Sequence, residues 1–215
     1  MKTYSTSETT RERIINATGE LAAEQGFSSV STRAVAKRSG CNIGSIHYHF
    51  GGKDGLFEAV VREAIAGCMQ IGYFEEIDKL GTDPDPEMLS RTLRFIVADE
   101  IRNIFRSGRP EWQSRVMYQL LQRDDNLYEI AREQMLEPEV QIMSRFFRLI
   151  NPDMDEEAAF LHLILLKMPI YAHVDYMKTI QRLMGVDRYE DDYLKKMEDL
   201  LVMQAQRLLG LPEEG

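Results

Sequence analysis

The stretch TRAVAKRSGCNIGSIHYHF, Thr32–Phe50, decides the fold of this chain. Its pattern predicts two short helices, Arg33–Ser39 and Ile43–His49, joined by a tight turn at Gly40–Asn42. Thr32 is a suitable N-cap for the first helix, because its hydroxyl can accept a hydrogen bond from a free backbone N–H.

Three positions in this stretch have the spacing of a helix-turn-helix. Ala36 is small enough for the second helix to cross the first closely. Gly40 lies where the chain must reverse, and a left-handed backbone is inexpensive only for glycine. Ile46 supplies an apolar side chain between the two helices. In a helix-turn-helix the second helix enters the DNA major groove, so this stretch predicts a DNA-binding unit.

The longer segment Thr10–Leu56 resembles the DNA-binding domain of the TetR family of transcriptional regulators. The shared features are Glu24-Gln25-Gly26-Phe27, Ser31-Thr32, Ala36, Gly40, Gly44, Tyr48-His49-Phe50 and Lys53. His47 departs from the family pattern, which often has tyrosine there, and this affects the expected base preference. The run IHYHFGGKDGL and the Arg-Glu-Gln-Met run ending at Met135 resemble the CecR-like branch of that family.

Charge is distributed unevenly along the chain. The net charge is −9, but residues 1–53 contain seven lysines and arginines against four glutamates, a net +3, which leaves −12 for the remainder. A basic segment ahead of an acidic body is expected when only that segment meets phosphate.

The bulk composition indicates an ordinary globular protein of 215 residues with 44% hydrophobic residues. We expect no membrane span and no signal peptide, because the apolar runs are short and the N-terminus lacks an apolar core. Cys41 and Cys68 do not suggest a disulfide framework, so a cytoplasmic protein with free thiols is expected.

The periodicity predicts an all-α chain of about nine helices and no strands. The predicted helices are Arg11–Gln25, Arg33–Ser39, Ile43–His49 and the segments 53–78, 86–106, 111–123, 127–150, 155–183 and 191–209, with bends possible at Pro138 and Pro169. We expect a helix-turn-helix DNA-binding domain over residues 1–52. A helical ligand-binding and dimerisation domain is expected over residues 53–215.

The candidate DNA contacts lie on the two short helices and just after them. They are Thr32, Arg33, Asn42, Ile43, Gly44, Ser45, His47, Tyr48, His49 and Lys53. Ile43, Ser45 and His47 would read base edges, and Thr32 and Arg33 would hold the opposite phosphate strand. The resemblance implies phosphate contacts for Tyr48, His49 and Lys53; a packed histidine is the alternative for His49.

The resemblance also implies an effector site in the helical body, where methionine and aromatic side chains suit an apolar or aromatic ligand. The candidates are Trp112, Met117, Tyr118, Phe146, His162, Met168, Tyr171 and His173, each of which could equally be ordinary core.

The eighth predicted helix is apolar nearly all round at residues 161–170, so it needs cover on both sides. A second subunit would provide that cover. The candidate dimer contacts are Phe160, Leu161, Ile164, Leu165, Leu200, Leu201 and Leu208.

These features predict a ligand-responsive repressor that binds a palindromic operator on double-stranded DNA as a homodimer and is released when a small effector shifts the fourth helix. No cofactor and no metal are predicted. Three alternatives stay open: a metal- or thiol-responsive regulator, an architectural DNA-binding protein, and an enzyme. The enzyme lacks support, because the sequence has no P-loop, dinucleotide loop, nucleophile elbow or HExxH motif.

Overall fold

A computed structural model describes residues 6–69, 72–106 and 108–213. The described residues are helical with no β-strand, so the all-α prediction is confirmed. The helices are α1 Thr6–Gln25, α2 Thr32–Ser39, α3 Ile43–Phe50, α4 Lys53–Cys68, α5 Tyr73–Asp78, α6 Pro86–Phe105, α7 Glu111–Leu120, α8 Asn126–Ala131, α9 Glu137–Ile150, α10 Glu156–Asp175, α11 Met177–Met184 and α12 Asp191–Leu209.

The chain forms two compact units. The first takes in Met1–Met69 and Arg109–Met135, and the second takes in Gln70–Gly108 and Leu136–Gly215. By packing, α4, α7 and α8 therefore belong with the three N-terminal helices. The predicted boundary after residue 52 separates a DNA-binding domain from a ligand-binding and dimerisation domain. That functional division stays a prediction.

The first unit is built around an apolar core shared by α1, α3, α4, α7 and α8. Ile14, Ile46, Leu56 and Val60 are fully buried there. Helix α7 approaches α1 so closely that a Cβ on Gly19 would lie 2.3 Å from the Trp112 ring.

The second unit has its own core, in which α6 packs on α12 and α9 packs on α10. Its largest fully buried side chains are Tyr73, Phe146, Phe147, Ile77, Leu93, Ile96 and Met143. Apolar residues at helical spacing on each of these helices explain the packing, because one stripe of each helix must leave water.

Several predicted helices have different bounds in the structure. Helix α1 begins at Thr6 rather than Arg11. The predicted helix 53–78 is two helices, α4 and α5, and Gly72 at the start of α5 donates its N–H to Asp99 Oδ2 at 2.6 Å. The predicted helix 127–150 is α8 and α9 joined by a π-helical turn at Arg132–Leu136.

The predicted helix 155–183 is also two helices, but the break is at Tyr176 and not at Pro169. Helix α10 continues through Pro169. Proline removes only one backbone hydrogen bond, the one to Leu165, and Leu165 is on the exposed side where water can replace that bond.

Among the described residues, one helix is long and apolar enough to cross a membrane by length and composition, namely α10. A single helix of this kind is weak evidence, because core helices pass the same test. Lys167 in the middle of α10 is paired with Glu100 and Glu139 inside the second unit, as a core helix requires.

Candidate nucleic-acid interface and effector site

Helix α2 and the following turn are held by three local contacts. Ser31, rather than the predicted Thr32, is the N-cap, and its hydroxyl accepts from Ala34 N at 3.2 Å. Gly40 has φ 67°, the left-handed conformation that the sequence predicted. Arg13 Nη2 donates to the Ser39 carbonyl at 2.5 Å and so ties α1 to the turn.

Helix α3 begins with a side-chain cap. Asn42 Oδ1 accepts from the Ser45 backbone N–H at 2.8 Å and from the Ser45 hydroxyl at 3.1 Å. Capping of this kind stabilises a short helix by about 1 kcal/mol. Asn42 and Ser45 therefore shape the start of α3, and the Asn42 amide N–H groups, which donate to none of the described residues, can reach a groove.

The candidate DNA contacts are exposed or half-buried residues of the first unit. Asn42, Ile43, Gly44, His47, Tyr48, Arg33 and Lys53 are exposed, and Thr32, Ser45 and His49 are half-buried. Tyr48 is 83% exposed, which is a high exposure for an aromatic side chain. Ile46 is fully buried, as its predicted place between α2 and α3 requires.

Among the residues described, some basic side chains near this surface are free of ion pairs, and another, Arg38, is paired. Within the described residues, Arg33, Lys37 and Lys53 make no ion pair, although Lys53 Nζ lies 5.1 Å from the centre of the Phe57 ring. Arg38 instead bridges Glu20 at 3.2 Å and Glu24 at 2.9 Å. The hydrogen bond from Arg38 lowers the pKa of Glu24. Arg33, Lys37 and Lys53 are therefore the cations that are available to bind phosphate.

The eight candidate effector residues are divided between the two units. Trp112, Met117 and Tyr118 are in the first, and the other five are in the second. Trp112 and Met117 are buried, and Trp112 Nε1 donates to Asn16 Oδ1 at 3.1 Å. The structure therefore does not gather all eight into one compact unit.

The five candidates in the second unit differ in their surroundings. Phe146 is fully buried, whereas Met168 is exposed on the outer face of α10. His162 is half-buried, with its ring centre 5.6 Å from that of Phe147. His173 lies between the Pro169 carbonyl at 2.7 Å and the Tyr193 hydroxyl at 2.8 Å.

The fifth candidate, Tyr171, belongs to a buried polar cluster that sequence reasoning missed. We call it the Lys167 cluster, and it consists of Tyr73, Glu100, Glu139, Lys167 and Tyr171. Lys167 Nζ donates to Glu100 Oε2 at 2.9 Å, to Tyr73 Oη at 2.9 Å and to Glu139 Oε1. Tyr171 donates to Glu100 Oε1 at 2.8 Å, and Tyr73 donates to Glu139 Oε1 at 2.6 Å. One signal was available: a lysine inside an apolar helix must find acidic partners when it is buried.

Burial and charge shift the pKa values in this cluster. Burial disfavours the ammonium of Lys167, but the carboxylates of Glu100 and Glu139 outweigh it and raise the pKa of Lys167. Burial also raises the pKa of Tyr73 and of Tyr171 well above the ordinary value, and the nearby carboxylates add to the shift. All three groups therefore keep their protons at neutral pH.

The candidate dimer contacts form a mostly exposed apolar face on α10 and α12. Phe160, Leu161, Leu165, Leu200 and Leu208 are exposed, and Ile164 is half-buried. Leu201 is different, because it is buried in the core of its own unit. Met168, predicted as an effector contact, lies on this same exposed face.

In the part of the chain that the structure describes, no three or more His, Cys, Asp or Glu side chains are grouped so that they could hold a metal ion. Cys41 and Cys68 are half-buried, and no disulfide joins them.

Comparison with known proteins identifies the N-terminal segment. Residues 14–60 match the family described as "Bacterial regulatory proteins, tetR family". The HTH-type transcriptional regulator UidR of Escherichia coli K12 is 32% identical over 81 residues, which cover 33% of this chain and 41% of UidR. The chain thus matches less than half the length of that curated relative.

Solved structures resemble the chain over almost its whole length. NalD, "the secondary repressor of MexAB-OprM multidrug efflux pump in Pseudomonas aeruginosa", gives a TM-score of 0.61 at 20% identity, covering 97% of this chain and 98% of NalD. A SmeT–triclosan complex gives 0.58 at 17% identity, covering 93% and 90%. At these identities the likeness shows the fold alone. UidR is a transcriptional regulator and NalD a repressor, and neither is an enzyme. None of these proteins bears on the CecR-like branch, which stays a prediction. Residues 14–60 of this chain are therefore a helix-turn-helix segment of the TetR family of bacterial regulatory proteins.

Proposed function

We propose that this protein is a ligand-responsive transcriptional repressor that binds a palindromic operator as a homodimer. The observation that carries the proposal is helix α3, which is capped by Asn42 and exposes Tyr48 to solvent. Cations without an ion pair among the described residues lie before and after it in the sequence. Arg33 and Lys53 flank α3 in the sequence, so they suit phosphates while α3 enters the major groove.

A dimer follows from the size of α3. Eight residues make about two turns, so one copy reads few base pairs, and a second copy doubles the interface. The exposed apolar face of α10 and α12 suits contact with its twin. Two-fold symmetry then requires half-sites whose centres are about one helical turn of DNA, or a small multiple of it, apart.

Release of DNA would come from a small apolar or aromatic effector that shifts α4. This helix begins three residues after α3 and carries Lys53 in its first turn. An effector acts only if it binds one arrangement of α4 more tightly than another. The SmeT–triclosan complex supports small-molecule binding by a protein of this fold. The cytoplasm is the location that this function requires.

A metal- or thiol-responsive regulator is the second candidate function. Cys41 lies in the turn before α3, where oxidation of its thiol would change the approach to DNA. Loss of operator binding on addition of a chelator or an oxidant, without any other ligand, would favour it over an organic effector.

The experiment that tests the function is selection of genomic DNA fragments on the full chain at physiological salt without added ligand. Salt matters because weak phosphate contacts otherwise enrich every fragment. We expect enrichment of one short palindrome. Equal retention of all fragments, both alone and with cell extract added, would contradict a sequence-specific repressor.

A further inference from the structure

The Lys167 cluster has one more negative charge than positive. It contains one ammonium and two carboxylates, and all three side chains are nearly removed from water, with Lys167 3%, Glu100 7% and Glu139 12% exposed. On the same helix as Glu100, the charged residues Asp99 and Arg102 pair with each other at 3.5 Å. An excess buried charge is costly unless a counter-charge joins it.

The hydrogen bonds of the cluster leave one acceptor open. The three protons of Lys167 go to Glu100, Tyr73 and Glu139, and both oxygens of Glu100 accept bonds. Oε1 of Glu139 accepts from Lys167 and Tyr73, whereas Oε2 accepts no hydrogen bond from the described residues. Glu139 is also the most exposed of the three charged groups, so this oxygen is where the cluster can be reached.

The surroundings of Lys167 indicate which chemical group suits the open oxygen of Glu139. Its ammonium lies 4.8 Å from the centre of the Tyr73 ring as well as between the two carboxylates. Aromatic faces and carboxylates together are the usual environment of a bound ammonium. A neutral ligand would leave the excess charge as it is, and an anionic ligand would increase it.

We propose that the effector of this protein carries a cationic amine or related ammonium group, which binds at Oε2 of Glu139 and neutralises the Lys167 cluster. The apolar or aromatic body of the effector then packs in the second unit. This inference rests on the proposed function, since it names the chemistry of the molecule that regulates DNA binding.

The test compares two probes of matched shape, 4-phenylbutylamine and 4-phenylbutyrate, by calorimetric titration of the full chain at neutral pH. One charge-assisted hydrogen bond predicts that the amine binds about tenfold or more tightly than the acid. Glu139→Gln should abolish this preference. Because that substitution removes the excess charge and keeps the side-chain shape, the melting temperature should stay the same or rise.

The matched control is Glu157→Gln, which removes an exposed carboxylate near the start of α10 and should keep the preference for the amine. Absence of amine binding, equal binding of both probes, or a preference that survives Glu139→Gln would overturn the proposal. Operator binding is measured on the same preparation without probe. If operator binding is present while the amine fails to bind, only the effector chemistry is wrong and the repressor function stands.

Discussion

Gly55 lies against the backbone of Phe50 so closely that a Cβ on residue 55 would be 2.1 Å from the Phe50 carbonyl oxygen. Phe50 is the last residue of α3, and Gly55 is in the first turn of α4. The recognition helix and the helix that follows it are therefore fixed to each other at a point where only hydrogen fits.

This contact predicts that Gly55→Ala separates α3 from α4. Because the Phe50 carbonyl oxygen belongs to the backbone, no side-chain rotation can relieve the clash. We therefore expect a loss of about 1–3 kcal/mol in the free energy of unfolding. DNA binding should weaken in addition, since the angle of α3 changes. Urea unfolding and a DNA titration measure the two effects.

Gly72→Ala is the matched control, because its Cβ would meet Phe95 at 3.5 Å and Asp99 Oδ2 at 3.7 Å, both ordinary contacts. If both variants unfold at the same urea concentration, the close approach at Phe50 has no energetic importance.

Lys53→Ala is expected to weaken binding to all DNA sequences alike. The exposed ammonium of Lys53 has no carboxylate partner among the described residues, so it is available to a phosphate. Removing one phosphate contact should reduce the slope of log K against log salt by about 0.9. Lys79→Ala, which removes an exposed lysine paired with Glu76, serves as the control. A changed base preference in Lys53→Ala would contradict a phosphate contact.

His47→Ala is expected to change base preference at one position of each half-site. The side chain is exposed on α3 and makes no hydrogen bond or ion pair with the described residues, so its loss should leave folding unchanged. A lost base contact costs about 1–3 kcal/mol at its own position. Selection from a randomised operator library measures this directly. Equal weakening on the operator and on random DNA would show that His47 does not read a base.

Leu165→Lys is expected to convert the proposed homodimer to a monomer that remains folded. Leu165 is exposed on α10 within the apolar face, and a lysine there would bury a charge in the dimer but not in the monomer. Sedimentation equilibrium measures the change. Leu183→Lys, at an 84% exposed leucine on α11 outside that face, should remain dimeric. A dimeric Leu165→Lys would require a different interface.

Sequence patterns predicted the local features of the first unit well, because those features depend on neighbouring residues. Gly40 has the left-handed backbone and Ile46 the buried position that their spacing required. The N-cap was assigned one residue late, at Thr32 instead of Ser31, since either hydroxyl could serve.

Features that depend on distant residues were not predictable in the same way. Glu100, Glu139 and Lys167 are far apart in the sequence, and only the packing of α6, α9 and α10 brings them together. Leu201 fitted an apolar stripe equally well as a dimer contact or as core, and the structure puts it in the core. Periodicity gives the apolar side of a helix but not the neighbour that covers it.

The Lys167 cluster predicts that the protein loses stability at alkaline pH. The pKa values of Tyr73 and Tyr171 are raised by burial first and by nearby carboxylates second, and that of Lys167 is raised because its carboxylate partners outweigh burial. In the unfolded chain these groups release protons near pH 10 to 10.5. The folded state then binds more protons, so the free energy of unfolding falls as pH rises above about 10, by about 1.4 kcal/mol per pH unit for each group.

Urea unfolding at intervals from pH 8 to pH 11 measures this fall, and absorbance at 295 nm follows phenol ionisation. Tyr171→Phe removes one of the three groups and should make the fall shallower. Tyr48→Phe changes an exposed phenol instead and should leave the slope as it is. A free energy of unfolding that is equal at pH 8 and pH 11 would mean that the cluster opens to water before its groups titrate, because only groups held away from water in the folded state couple their ionisation to unfolding.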